Sequence, residues 1–112
     1  SPDSALHPDA RFHCTVSGFR LPDGTGVILG RDSRENAILK DSQDVGTIVY
    51  TVNCPGPTAL VPGSPSKEAL EQVSALVAAW AKFDKLTDPV RTNISIVQPP
   101  YGRERFLKFQ IL

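Results

Sequence analysis

The sequence predicts an α+β domain: an antiparallel sheet of about five strands with one main helix, about residues 65–82, packed on one face. Three observations carry this reading. Several short segments alternate apolar and polar residues with period two, the mark of half-buried strands. One segment alone carries an apolar stripe at helical spacing: Leu70, Val73, Leu76, Val77 and Trp80. The connections between strands are short and rich in turn residues, as antiparallel neighbours require.

Residues 1–9 lack periodicity and contain two prolines, so they read as a loose arm ahead of a single domain at 10–112. From Arg11 to Ser17 the chain alternates, with Phe12, Cys14 and Val16 on the apolar side. Leu21-Pro22-Asp23-Gly24-Thr25-Gly26 is a turn, and Val27-Ile28-Leu29 completes a hairpin. Residues 30–46 are polar, with Ala37-Ile38-Leu39 either a short helical turn or an edge strand. Thr47 to Asn53 alternates again through Ile48, Tyr50 and Val52, and a proline-rich link follows Cys54. Ser64-Pro65 or Ser66 then opens the main helix, with Glu68 near its positive end. Asp88-Pro89 stops the helical pattern, because proline disfavours helix in the residue before it. Val90 to Val97 reads as one strand, Gln98 to Gly102 as a turn, and Arg105 to Leu112 as the last strand, with Leu107, Phe109 and Ile111 on one face.

A hydrophobic content of 40% and a charged content of 21% describe an ordinary globular chain. No apolar run reaches the roughly 18 residues of a membrane span. Twelve basic and twelve acidic residues cancel, which argues against a nucleic-acid partner or an anionic membrane. Arg103, Arg105 and Lys108, interrupted by Glu104 and Phe106, read as the charged edge of a strand. The chain starts Ser-Pro-Asp-Ser and contains no methionine, so it is expected to be a processed product, most simply of signal-peptide removal. Cys14 and Cys54 both fall on the apolar parity of their strands: they are either one disulfide, worth about 3–4 kcal/mol in the chain-entropy model, or two buried thiols. Neither has neighbours at metal spacing, and neither a metal nor a cofactor is expected. His7 on the arm and His13 on a strand's polar face read as surface histidines, with Arg103 and Glu104 only loosely matching ribonuclease residue types. Trp80 reads as core. Asn93-Ile94-Ser95 is a glycosylation sequon on a polar parity.

Cys54-Pro55-Gly56-Pro57, then Pro62-Gly63-Ser64, an amphipathic helix, and Lys85-Leu86-Thr87-Asp88-Pro89-Val90 follow one another in an order that resembles the bacterial subtilisin inhibitor-like family. Ser4-Ala5-Leu6, Thr15-Val16, Thr51-Val52-Asn53-Cys54 and Gly102-Arg103-Glu104-Arg105-Phe106 are similar to further pieces of it. The chain departs from that family at Ser66 and Phe83, where two of its cysteines would fall, and residues 19–45 resemble an insertion.

The resemblance implies a secreted protein that presents a rigid, substrate-like loop, Phe83, Asp84, Lys85, Leu86, Thr87 and Asp88, to a trypsin- or subtilisin-like serine protease. Lys85 would enter the specificity pocket, and affinity would come from preorganisation of the loop. The family's habit of pairing through its sheets implies a homodimer. The leading expectation is therefore a non-enzymatic protease-binding protein in the extracellular space. The alternatives are a secreted interaction or effector-type module without inhibition, and a small secreted hydrolase or ribonuclease-like protein. The bland reading of Lys85 is a solvated charge at a helix C-terminus.

Overall fold

The computed structural model describes residues 17–30 and 32–111. The arm, His7, His13, Cys14 and most of the strand expected from Arg11 lie outside them. The elements are β1 (Ser17–Arg20), β2 (Gly26–Leu29), α1 (Ser33–Lys40), β3 (Gly46–Tyr50), β4 (Thr58–Pro62), α2 (Lys67–Ala79), β5 (Val90–Arg91), β6 (Ile96–Val97) and α3 (Glu104–Leu107). The α+β class holds. Four strands form an antiparallel sheet in the order β1-β2-β4-β3, and β5 and β6 form a second, two-stranded one.

The β1–β2 hairpin closes as its residues dictate. Leu21 N donates to Thr25 O (2.9 Å), Gly24 N donates to Leu21 O (2.8 Å), and Gly24 takes the positive φ of +92° that suits glycine. The Asp23 carboxylate accepts from Thr25 N (3.0 Å), and this bond holds its pKa below the usual carboxylate range.

The strand that the link was expected to hide is the centre of the sheet. β4 pairs with β2 through Ile28↔Leu60 and with β3 through Ile48↔Leu60, and Ala59, Leu60 and Val61 are wholly buried. Its alternation is invisible as polarity because both faces are covered. Ala59 and Val61, with Phe19, Val27, Leu29 and Val49, pack against Val73, Leu76 and Val77 of α2. Leu60, with Ile28 and Ile48, packs against Ile38 and Leu39 of α1 on the opposite face. The expected single helical layer is thus one of two. Both α1 and α2 open on a side-chain cap: Asp32 accepts from Glu35 N (2.9 Å) and Ser66 accepts from Ala69 N (3.1 Å).

Beyond α2 the expected strands give way to tighter structures. Val90 to Val97 is a short hairpin, folded about Thr92, whose hydroxyl accepts from Ile94 N (3.1 Å) and Ser95 N (3.0 Å). Residues 104–107 are one helical turn rather than strand, because Phe106 and not Leu107 is the side chain taken into the core; Leu107 is 52% exposed. The chain then lies along β1, with Arg20 N donating to Phe109 O (2.9 Å) and Ile111 N to Gly18 O (2.8 Å). At the other edge, Asn93 joins β3 through its side chain. Its Oδ1 accepts from Tyr50 N (2.9 Å) and its Nδ2 donates to Ile48 O (2.8 Å). The nitrogen a glycan would need is therefore engaged in the fold, against the sequon reading.

Truncating Leu60 removes a contact shared by three strands and α1. Leu60→Ala is expected to cost about 2–5 kcal/mol in a denaturant titration. Ile96→Ala, at a residue 54% exposed, should shift stability by no more than about 0.5 kcal/mol.

Candidate functional site

A groove of about 540 Å³ opens where α1, the 55–57 link, the end of α2 and the chain around the end of α3 converge. Its floor is built by a departure from regular sheet. Gly30 N donates to Thr58 O (2.9 Å), continuing the β2–β4 ladder by one residue. The return bond, which Gly30 O would accept in a regular antiparallel pair, is made instead by Asn36 of α1: its Oδ1 accepts from Thr58 N (2.9 Å). This frees the chain to leave the sheet at Gly30 and enter α1. Only glycine allows it, because a Cβ at position 30 would collide with the Asn36 amide.

The opposite wall is fixed in the same economical way. Lys82 N donates to Pro55 O (2.7 Å), tying the link to the end of α2. Gly56 sits against Thr51 and Ala81, where a Cβ would come within 2.8 Å of the Thr51 hydroxyl and 3.0 Å of the Ala81 methyl. Between these walls stands Trp80, partly exposed, with the buried Phe19 ring edge-on at 5.6 Å. The Arg103 guanidinium lies over the indole at 5.5 Å, and its Nε donates to Ala79 O (3.0 Å). The exposed Lys82 adds a second cation at the rim. Asp32 also lines the groove, but its carboxylate caps α1, so the helix N-terminus is already satisfied by an anion of the chain's own. An aromatic platform, two cations and an amide can hold a flat, anionic ligand by stacking and charge.

The residues expected to act are elsewhere. Phe83 to Asp88 forms a turn closed by Leu86 N donating to Phe83 O (2.9 Å), not an extended, substrate-like loop. Phe83 packs on Tyr101 at 4.7 Å, Leu86 is half-buried, and Asp84, Lys85, Thr87 and Asp88 are exposed. Tyr101 braces the segment: its hydroxyl accepts from Val90 N (2.8 Å) and donates to Val97 O (3.0 Å). Cys54 is a free, half-buried thiol, contrary to the disulfide reading, and Cys14 lies outside the described residues. Burial pushes the Cys54 thiol up from its ordinary pKa, against a smaller lowering effect of the Thr51 hydroxyl.

Gly30, Asn36, Gly56 and Lys82 were not legible as lining one groove, and Trp80, packed on the core as expected, also lines it. One signal was present. From Trp80 onward there are six basic and three acidic residues, so the neutral total conceals a positive C-terminal third.

The chain matches the family described as NFACT protein RNA binding domain over residues 18–108. No curated protein and no solved structure matches. The family match spans most of the chain and overturns the resemblance to subtilisin inhibitor-like proteins. The secreted inhibitor, its protease partner, the extracellular location, the effector-type and hydrolase alternatives, and the exclusion of nucleic acid fall with it. The family is one of binding domains, not enzymes.

Asn36→Ala would leave the buried Thr58 N–H without its acceptor, and is expected to destabilise the fold by about 1–3 kcal/mol in a thermal or denaturant melt. The raised thiol pKa predicts that Cys54 is alkylated by iodoacetamide more slowly at neutral pH than a free cysteine. The rate should climb as pH rises through and above the ordinary thiol range, followed by mass spectrometry of the modified peptide.

Proposed function

This chain belongs to the NFACT protein RNA binding domain family, and on that premise we propose that it binds RNA in the groove between α1 and Trp80. The observation that carries the choice of surface is the presence of Trp80 and Lys82 in the lining of one concavity, with the Arg103 guanidinium over the indole beside it. Affinity for RNA draws on phosphate neutralisation and on stacking of bases against aromatic rings. This groove offers both, on walls held by backbone hydrogen bonds. Arg105 and Lys108 form a second cationic patch beside Phe106 and Phe109, outside the groove. With a net charge of zero over the whole chain, attraction is local to this face.

The reading is tested by fluorescence anisotropy with a labelled RNA at two or more salt concentrations. Lys82→Glu, at an exposed side chain, should weaken binding several-fold and reduce the dependence of log K on log salt by about one unit. Lys40→Glu, on the α1 face of the sheet beside Tyr50 and away from the groove, should leave affinity within error. Equal affinity for all three proteins would move the interface off this groove.

A further inference from the structure

Resting on that reading, we infer that the groove takes an unpaired base from single-stranded RNA, stacked at Trp80, rather than the backbone of a duplex. Three features of the site point the same way. The first is size. About 540 Å³ falls in the range of small-molecule pockets, roughly 300–1,000 Å³. It suits one extruded base with its sugar and is far too small to seat a helix. Double-stranded RNA is gripped across successive minor grooves and the phosphates between them, which demands a broad surface.

The second is charge. A duplex-binding face needs many cations in register with phosphates. Here the groove's own lining carries one cation, Lys82, and one exposed carboxylate, Asp32, with the Arg103 guanidinium over the indole beside it. One lining cation and a guanidinium beside it can steady the phosphates of one nucleotide; they cannot track a strand of duplex. The third is chemistry. An aromatic side chain in the groove gains nothing from a duplex, whose base faces are hidden, and gains most from a base lifted out of the stack. Asn36 adds a directional group. Its Oδ1 is committed to Thr58 N, so what it can present to a ligand is its Nδ2 donor pair. A donor of that kind matches the carbonyl and ring-nitrogen acceptors on an unpaired base edge, which a duplex keeps occupied or buried.

Trp80 is the only tryptophan in the chain, so tryptophan fluorescence, excited beyond the absorption of Tyr50 and Tyr101, reports on this groove. The experiment titrates the full chain with a single-stranded RNA, with the same strand carrying abasic sites throughout, and with the matching duplex. Affinity is measured in parallel by anisotropy. Stacking predicts quenching of Trp80 by the single strand, little quenching by the abasic strand, and affinity for the duplex at least tenfold lower. Trp80→Phe keeps a ring against Phe19. Trp80→Leu, with its fold checked by circular dichroism, should lose roughly tenfold in single-strand affinity. Duplex affinity equal to or above that of the single strand, or unchanged Trp80 emission on single-strand binding, would overturn the inference. If Lys82→Glu still weakened binding in that case, RNA binding in the groove would stand without it. Failure of both RNAs to bind would overturn both readings.

Discussion

The structure depends on β4 being buried on both faces. A strand with helices above and below is apolar along its middle on both faces, as Ala59, Leu60 and Val61 are. Because β4 also sits between β2 and β3, it joins the hairpin at one end of the sequence to the strand that precedes it. α1 and α2 each find their apolar partner on it or beside it. The groove exists because of the same arrangement: the chain must leave β2 at Gly30, cross the sheet end as α1, and come back through the link at Pro55 to Pro57. The concavity is what remains where those paths diverge.

Charge is organised by place rather than by total. The acidic residues gather in the first two-thirds of the chain, and the basic ones dominate after Trp80. Folding brings that positive third beside the end of α2, where Arg103 reaches back over the indole. The cation is thereby anchored by a backbone carbonyl and an aromatic face at once, which leaves it little freedom to lose when a ligand arrives.

The fold class, the β1–β2 hairpin, β3 and the cap and stripe of α2 were legible because each has a local cause: alternation, turn chemistry, a serine hydroxyl and helical spacing. β4 was not, since a fully buried strand carries no alternation of polarity and its bounding prolines imitate a linker. The strand expected after Arg105 failed for the opposite reason. Leu107, Phe109 and Ile111 alternate by chance, while Leu107 and Ile111 are about half exposed and Phe106 holds the core. The site was the least legible part. Asn36 acts through a hydrogen bond to Thr58, twenty-two residues away, and Gly30 through the space it leaves for Asn36. No sequence period encodes such a contact. The order of motifs that resembled protease inhibitors was real as an order, but its pieces fall on a link, a helix and a turn that meet differently here.

The side chain of Asn93 and the segment 109–111 have a joint consequence for how this domain can meet other macromolecules. Both outer strands of the four-stranded sheet are met from within along part of their length, one by an amide imitating a strand and the other by the segment 109–111. At those positions a neighbouring polypeptide meets backbone donors and acceptors that are already engaged, which shortens the row another strand could extend. Recognition is left to side chains at the ends of the helices and to the loops between elements. Those are surfaces that can change residue by residue while the hydrogen-bonded frame beneath them stays as it is.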